Sequence, residues 1–234
     1  MVDFTSQTVI VTGAGGNVGA AIARELAKRG ARLALVDMSK DALSVIASEI
    51  GGDCQTYAGV DVRNEAETLS TVRTIRERFG RVDALANTVG TFRMGRIDAD
   101  ATAHWQMLME LNAMSALVLI KAVAPLMAAN GYGRMLHVAA GAGLRAGAEM
   151  SAYSASKAAL LRVVESAGEE FRERGVTANC ILPTTIDTPQ NRAAMPGADT
   201  STWIKPAAIA EAAALLLSRQ AGAITGAAIP LSGG

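Results

Sequence analysis

The sequence is poor in the residues that build covalent or metal cross-links. Among its 234 residues it has two cysteines, Cys54 and Cys180, and two histidines, and neither cysteine belongs to a C-x-x-C motif or a Cys/His cluster. This pattern excludes a disulfide framework, gives no sign of a metal site and predicts reduced thiols in a cytoplasmic protein. Aromatic residues are also scarce, at 4%, whereas hydrophobic residues make up 50%. The core must therefore be built mainly from aliphatic side chains.

An excess of charge of either sign is also absent. The 22 Lys and Arg residues balance the 22 Asp and Glu residues, and no long run of like charge occurs. Such a surface gives no electrostatic reason to bind nucleic acid or an anionic membrane, so we expect a small-molecule partner. Residues 1–7 lack the layout of a signal peptide, and the longest apolar stretch, residues 113–129, is interrupted by Lys121 and Pro125. We therefore predict no membrane span.

Short β-branched runs alternate with amphipathic helical patterns along the whole chain. This alternation predicts α/β architecture: a single Rossmann-fold domain over residues 1–234, with a doubly wound, mainly parallel sheet of about seven strands and helices on both faces. Strands are predicted near residues 9–11, 33–36, 55–60, 83–86, 134–139, 176–182 and 224–234. No linker or internal repeat divides the chain.

A glycine-rich turn follows the first predicted strand and precedes a helical pattern. It reads Thr12-Gly13-Ala14-Gly15-Gly16-Asn17-Val18-Gly19. In this context glycines allow the backbone to approach a pyrophosphate closely, and the helix N-terminus attracts the negative charge. The turn therefore predicts a dinucleotide site. Asn17 occupies a position where glycine is usual, and we expect it to adopt the left-handed conformation that Asn tolerates.

The end of the second predicted strand indicates which dinucleotide binds. Asp37 closes this strand, where a carboxylate accepts hydrogen bonds from both ribose hydroxyls and repels a 2′-phosphate. The neighbouring Gly16 and Met38 supply no arginine for such a phosphate, although Lys40 is near in sequence. The pattern predicts NAD as the cofactor, with NADH preferred over NADPH.

The sharpest chemical signal is the pentapeptide Tyr153-Ser154-Ala155-Ser156-Lys157. A tyrosine and a lysine four residues apart lie on one face of a helix, so both side chains can reach one small volume. A nearby ammonium favours the phenolate and is expected to lower the tyrosine pKa. The pair therefore predicts an acid/base catalyst, with Tyr153 as the proton donor.

Together these segments resemble the short-chain dehydrogenase/reductase family, and the resemblance spans the whole chain. It implies a catalytic set of Tyr153, Lys157 and Asn112, in which Asn112 supports the proton path. It also implies a homo-oligomer, a dimer or tetramer paired through the helices at residues 113–129 and 152–174. The residues it implies for cofactor binding are Gly13, Gly15, Gly16, Asn17, Val18, Gly19, Asp37, Met38, Asp61, Val62, Asn87, Val89, Gly90, Tyr153, Lys157, Pro183, Ile186 and Thr188.

Two segments depart from the general pattern of the family. Ala140 stands where the family has its catalytic serine, so one oxyanion-type donor is missing. A polar connection from Gln190 to Trp203 is long enough to form a lid over about residues 190–205. With Ala140, this segment resembles that of dihydropteridine reductases, a group within the same superfamily.

Three functions are compatible with these features. The first is NADH-dependent reduction of a small cyclic carbonyl- or imine-type substrate, with a quinonoid dihydropterin as the specific hypothesis, because an electron-poor ring needs less carbonyl polarisation. The second is a general alcohol dehydrogenase or ketone reductase, in which Ser151, Thr88 or a water replaces the lost donor. The third is an NAD-binding scaffold with residual chemistry. His137, in a predicted strand beside the site, is a further candidate as a proton relay.

Overall fold

The fold is a single α/β domain built on a seven-stranded sheet. The computed structural model describes residues 2–233, so Met1 and Gly234 of the predicted domain lie outside it. The strands are β1 (Thr8–Thr12), β2 (Arg32–Asp37), β3 (Cys54–Ala58), β4 (Ala84–Asn87), β5 (Gly133–Val138), β6 (Val176–Pro183) and β7 (Ala228–Leu231). The helices are α1 (Asn17–Lys28), α2 (Lys40–Ile50), α3 (Glu65–Phe79), α4 (Ala101–Met109), α5 (Ser115–Ala129), α6 (Ser151–Phe171), α7 (Pro189–Ala194) and α8 (Pro206–Leu217).

The order of the strands shows at which edge of the sheet a ligand is expected to bind. All neighbouring strands pair in parallel, in the order β3-β2-β1-β4-β5-β6-β7. The chain reverses its direction of winding between β1 and β4, and ligands of open parallel sheets bind at such a switch point, beyond the carboxyl ends of the strands. The predicted fold is confirmed, and the sheet is wholly rather than mainly parallel within the described residues.

Two apolar layers cover the two faces of this sheet. One layer packs α3, α5 and α6 against the sheet, and its members include Ile75, Leu119, Val123 and Leu160. The other packs α1, α2 and α8 against the opposite face, and its members include Ile22, Leu26, Leu43 and Ala213. Both layers are mostly aliphatic, as the scarcity of aromatic residues requires. Helix α6, which carries Tyr153 and Lys157, is thus fixed against the sheet along its length.

The long helical segment before β5 contains an irregularity at a predicted site residue. Residues 110–114 form a π-helical turn between α4 and α5, and Asn112 is buried in it. Single π turns inside helices frequently occur at functional sites. The whole segment, Ala101–Ala129, is long and apolar enough to cross a membrane by length and composition alone. However, 61% of its most apolar window is buried inside the domain, as in the core helix of a globular protein.

Two predicted elements differ from the structure. The last strand spans only Ala228–Leu231, because Gly226 adopts a left-handed φ of 68° and ends the extended chain before it. The predicted lid starts at Gln190, whereas the structure has a six-residue helix, α7, that begins one residue earlier at Pro189. The Thr188 side chain accepts a hydrogen bond from the Asn191 backbone N–H and so caps this helix.

Candidate active site

A cleft of about 420 Å³ opens beyond the carboxyl ends of β1, β2 and β4. Nine of the residues predicted to bind the cofactor line it: Gly13, Gly15, Gly16, Asp37, Met38, Asp61, Val62, Val89 and Gly90. Ser39, Arg63 and Leu111, which no motif marked as contacts, also line the cleft, together with Thr88. Arg63 and Ser39 each lie within two residues of a predicted contact, so their neighbourhood was the only signal in the sequence.

The glycine turn forms the floor of this cleft and depends on two close approaches. Gly13 has a φ of +68°, and a Cβ atom there would lie 2.7 Å from the Thr88 hydroxyl. A Cβ atom on Gly19 would lie 2.2 Å from the Gly13 carbonyl oxygen, so α1 could not pack this close to the turn with any other residue. Val18 follows the turn inside α1. The backbone is therefore open to a ligand at the start of α1, where a pyrophosphate is attracted.

Asn17 behaves differently from our expectation. It does not adopt a left-handed conformation but is the first residue of α1, because the left-handed position of the turn is Gly13. Its side-chain amide donates a hydrogen bond of 2.8 Å to Gln190 Oε1 on α7. The substitution of the usual glycine therefore joins the turn to the lid rather than reshaping the turn.

The Asp37 carboxylate is held in a fixed orientation by two backbone groups. The Gly15 N–H donates to Oδ2 and the Ser39 N–H donates to Oδ1, each over 2.9 Å. A Cβ atom on Gly15 would lie 2.6 Å from Ala42 Cβ and 3.2 Å from Asp37 Oδ2, so this position has no room for a basic side chain. The wall of the cleft at this end therefore carries the Asp37 carboxylate, and residue 15 supplies no basic side chain beside it.

Asp61 and Val62 form the neighbouring part of the wall. The Arg63 guanidinium hydrogen-bonds both Asp61 carboxylate oxygens and holds the pKa of that carboxyl below its usual value. Arg63 also lies 3.5 Å from Glu110, so two acidic groups already engage its charge. Met38 is 63% exposed at the mouth of the cleft. The cleft is thus lined here by both an exposed apolar side chain and a carboxylate acceptor.

The predicted catalytic residues meet the cleft at Gly90. A Cβ atom on Gly90 would lie 2.7 Å from Asn112 Oδ1 and 3.2 Å from Lys157 Nζ. Asn112 is fixed by three hydrogen bonds, two to the Thr91 backbone and one to the Ser156 hydroxyl. The Lys157 ammonium donates to the Val138 carbonyl oxygen over 3.1 Å. The structure therefore brings Asn112 and Lys157 to the inner end of the cleft.

Tyr153 lies beside this lysine, but its pKa moves in the direction opposite to our expectation. Lys157 Nζ is 6.0 Å from the centre of the Tyr153 ring, and Phe92 packs edge-on against the ring at 4.8 Å between centroids. Burial raises the pKa of Tyr153 to about 12 and lowers the pKa of Lys157 to about 8. The expected lowering is absent because desolvation outweighs the attraction of an ammonium at this distance. The phenol is therefore protonated at neutral pH.

The turn after β4 connects the cleft with the centre of the sheet. Asn87 is buried, and its Oδ1 accepts hydrogen bonds from the Thr12 hydroxyl and the Val89 N–H. The Thr88 hydroxyl donates towards the carbonyl oxygens of Thr12 and Gly13, over 2.8 and 3.2 Å. These bonds fix Thr88 beneath the glycine turn, so this structure does not present its hydroxyl as a substitute for the missing serine.

The remaining predicted residues lie at the base of the lid. Pro183 ends β6, Ile186 forms an isolated parallel bridge with Ile204, and Thr188 caps α7. None of the three lines the cleft described above. The bridge between Ile186 and Ile204 joins the two ends of the segment 187–203, whose Trp203 is buried. Their contacts with a cofactor stay a prediction.

Ala140 lies just beyond the end of β5 and starts a short 3-10 turn of residues 141–143. Its methyl group offers no hydrogen-bond donor. Within residues 2–233, no group of three or more His, Cys, Asp or Glu side chains is placed to hold a metal ion. The chemical groups gathered at the inner end of the cleft are therefore a phenol, an ammonium and an amide, which suit proton transfer rather than nucleophilic attack.

A wholly parallel sheet with a glycine turn at its switch point and a Tyr/Lys pair at the inner end of the cleft defines an oxidoreductase domain of Rossmann type. Residues 7–198 match the family model for short chain dehydrogenases. The chain belongs to this family.

Individual relatives agree with this assignment. The chain is 30% identical over 239 residues to D-threitol dehydrogenase of Mycolicibacterium smegmatis, a match that covers 97% of this chain and 92% of the relative. The structure of NAD⁺-bound xylitol dehydrogenase superposes with a TM-score of 0.90 and 26% identity, covering 99% of both chains. A 7α-hydroxysteroid dehydrogenase complexed with NADH and 7-oxo glycochenodeoxycholic acid gives a TM-score of 0.92 and 28% identity, covering 99% of this chain and 95% of that one. These relatives do not show the predicted resemblance to dihydropteridine reductases.

Proposed function

We propose that the protein is an NAD(H)-dependent dehydrogenase that interconverts a small secondary alcohol and the corresponding carbonyl compound. The observation that carries the proposal is the position of Gly90, which joins the cleft of the glycine turn to Asn112 and Lys157. A ligand in this cleft would end next to the proton-transferring groups. The relatives named as D-threitol and xylitol dehydrogenases favour the general alcohol dehydrogenase over the pterin hypothesis.

The residues of the cleft fit a nicotinamide dinucleotide. The glycine turn and the start of α1 would hold the pyrophosphate, Asp37 the adenosine ribose, and Asp61 with Val62 the adenine. Bound in this way, the cofactor supplies or accepts a hydride. The fixed Asp37 carboxylate and the blocked position of Gly15 support NADH over NADPH. Arg63 does not offset this charge, because it is paired with Asp61 and Glu110.

The protein's own chemistry is the transfer of one proton. In reduction, the Tyr153 phenol donates its proton to the carbonyl oxygen of the substrate, and in oxidation the same oxygen takes the proton of the alcohol. The Lys157 ammonium, 6.0 Å from the centre of the Tyr153 ring, would stabilise the phenolate that this transfer leaves. Asn112 holds the turn at Thr91 and Gly90 in place beside the lysine. Phe92 shields one edge of the Tyr153 ring from water.

The quinonoid dihydropterin is the second candidate substrate. Ala140 favours it, because a substrate that accepts hydride readily has less need of the donor that alanine lacks. The lid that begins at α7 and contacts Asn17 through Gln190 would enclose such a ring. We rank this candidate below the alcohol dehydrogenase, since the named relatives act on alcohols and ketones.

We also propose that the protein works as a cytoplasmic homo-oligomer. A surface groove of about 300 Å³ runs between α5 and α6, and its apolar lining includes Leu117, Ile120, Val163 and Phe171. Leu117 is 47% exposed. Pairing of these two helices between subunits would cover this groove and fix the helix that carries Tyr153.

One comparison of rates tests the proposed function. NADH oxidation is measured against a panel of small ketones and quinonoid dihydropterin, and NAD⁺ reduction against polyols and secondary alcohols, for the wild type and for Tyr153→Phe. We expect turnover in the alcohol/ketone part of the panel and a loss of about 10² to 10⁴-fold in Tyr153→Phe. Turnover of the pterin alone would establish the second candidate. Tight NADH binding without turnover, or an undiminished Tyr153→Phe rate, would contradict the proposal.

A further inference from the structure

A row of buried polar side chains crosses the centre of the sheet behind the cleft. Thr12, Asn87, His137 and Cys180 are register partners on β1, β4, β5 and β6. Partners on adjacent parallel strands point to the same face of the sheet, and here that face packs against α5 and α6. All four are at most 2% exposed. His137 therefore lies inside the protein, on the side that carries Lys157.

The hydrogen bonds of this row fix the orientation of the Asn87 amide. The Val89 backbone N–H lies 3.1 Å from Asn87 Oδ1, and a backbone N–H can only donate. The atom facing Val89 must therefore be the amide oxygen, which also accepts from the Thr12 hydroxyl at 2.7 Å. The other end of the amide is then the NH₂ group, which lies 3.1 Å from His137 Nδ1.

This orientation determines the tautomer of His137. An NH₂ group is a donor, so His137 Nδ1 must be the acceptor and the ring proton must be on Nε2. Protonation of Nδ1 would place two donors face to face. Nε2 is buried and has no hydrogen-bond partner in the described part of the chain. Only the Nδ1 edge of the ring is thus used in a hydrogen bond, and its partner is Asn87.

We propose that His137 is a positioning residue for the coenzyme: its Nδ1 atom holds the Asn87 amide, which in turn holds the turn 87–90 at the wall of the cleft. The turn contributes Thr88, Val89 and Gly90 to that wall. His137 itself touches neither the coenzyme nor the substrate. The inference rests on the proposed function, because the ligand of this wall is the nicotinamide dinucleotide. This role weighs against the hypothesis that His137 relays protons.

Three substitutions separate the two edges of the ring. His137→Asn keeps an acceptor near the position of Nδ1, His137→Gln keeps a polar group near Nε2 but leaves the Asn87 NH₂ unpaired, and His137→Leu removes both. We expect His137→Asn to bind NADH within about twofold of the wild type. The other two should bind about tenfold more weakly, as for one unsatisfied buried donor. NADH affinity is measured by fluorescence titration, and KM for NADH should follow it while kcat changes less.

Met135→Ala is the matched control. Met135 is on the same strand, points to the same face two residues earlier and is buried, but it has no contact with the turn among the hydrogen bonds above. The Met135→Ala substitution should lower the melting temperature and leave NADH affinity unchanged. Equal affinity in all three His137 variants, or a loss in His137→Asn as large as in His137→Leu, would overturn the inference. A wild type that binds no NADH would instead overturn the proposed function.

A second measurement reads the tautomer in the wild type itself and uses His137→Asn only to assign the signal. The chain has only two histidines, His104 and His137, so a long-range ¹⁵N–¹H spectrum of the wild type contains two imidazole patterns. The spectrum is recorded without NADH. We expect one ring at pH 6 with an unprotonated Nδ1 and a protonated Nε2, and its pattern should disappear in His137→Asn. The opposite tautomer, or a charged ring, would overturn the inference.

Discussion

Replacement of Gly90 by alanine tests whether the cleft and the catalytic residues meet where the structure places them. The backbone of Gly90 does not have a left-handed φ, so alanine adds no conformational strain of its own. The new Cβ atom would lie 2.7 Å from Asn112 Oδ1, about 0.7 Å inside the ordinary contact distance of 3.4 Å. It would also lie 3.2 Å from Lys157 Nζ. Both side chains must therefore move.

The size of the effect follows from the hydrogen bonds of Asn112. This residue is 1% exposed, and its Oδ1 accepts the Thr91 N–H at 2.8 Å. Displacing Oδ1 leaves a buried donor unsatisfied, which costs about 1–3 kcal/mol in the free energy of unfolding. A domain with about 5–15 kcal/mol of stability stays folded after this loss. The shift of Lys157 relative to Tyr153 is expected to lower kcat by about tenfold to a hundredfold, because a misplacement of about 1 Å in catalytic groups can cost a hundredfold and this one is smaller.

The assay is steady-state turnover of the best substrate from the panel, together with thermal unfolding. Gly141→Ala is the control, because a Cβ atom there has no heavy atom within 4 Å and its φ is not left-handed. We expect its stability to stay within about 0.5 kcal/mol of the wild type. The double variant with Asn112→Ala should be no less stable than Asn112→Ala alone, since the clash has been removed. Wild-type kcat in Gly90→Ala would refute the geometry.

Four further predictions follow. Asp37→Ser should weaken NADH binding and raise kcat/KM with NADPH relative to NADH by at least about tenfold, because each 1.4 kcal/mol of lost repulsion is a factor of ten. An unchanged ratio of kcat/KM for the two coenzymes would contradict this prediction. Ala140→Ser should raise ketone reduction, with about a hundredfold as the upper limit for one restored donor, and no gain would favour the pterin. His137 has a pKa of about 3 against 6.5 in an unfolded chain, so the unfolded state binds the extra proton and stability should fall by about 2 kcal/mol between pH 6.5 and 4.5. Lys157 and Cys180, which face His137, have pKa values of about 8 and 12, so the ammonium and the neutral thiol do not titrate in this window. Urea unfolding of His137→Asn should therefore lack this part of the slope. Lys157→Met should be inactive in the turnover assay. Its free energy of unfolding at pH 7, from thermal unfolding, should be about 1–3 kcal/mol higher than that of the wild type, because a buried ammonium is removed. A less stable variant would contradict this explanation.

The fold could be predicted from the sequence because its signals are local and repeated. Each buried parallel strand is a short aliphatic run, and each helix shows apolar residues at helical spacing, so their alternation already implies a doubly wound sheet. The bounds of the last strand were harder to predict. The run from Ile224 to Ile229 has the composition of one strand, but the conformation of Gly226 depends on its packing beside β6, which no local pattern contains.

Only the parts of the candidate site that belong to short sequence motifs could be predicted. The glycine turn, Asp37 and the Tyr153/Lys157 pair are compact signals, and the structure places them along one cleft. The pKa of Tyr153 could not be predicted from spacing, because burial depends on Phe92 and on elements distant in sequence. The role of His137 was also out of reach. It depends on a register between β4 and β5 that sets residues 50 positions apart side by side.

The buried lysine is the strongest argument against a scaffold that has lost its chemistry. Lys157 is 5% exposed, and burial lowers its pKa from 10.5 to about 8, so keeping it charged at neutral pH costs about 3 kcal/mol. A binding scaffold would be more stable with an apolar side chain there. The departure at Asn17 adds a contact instead of removing one, because its side-chain amide hydrogen-bonds Gln190 in the lid. Ala140 lacks the hydroxyl of the family's serine, whereas Tyr153, Lys157 and Asn112 are all present. This combination supports our proposal of an active enzyme over a scaffold without chemistry.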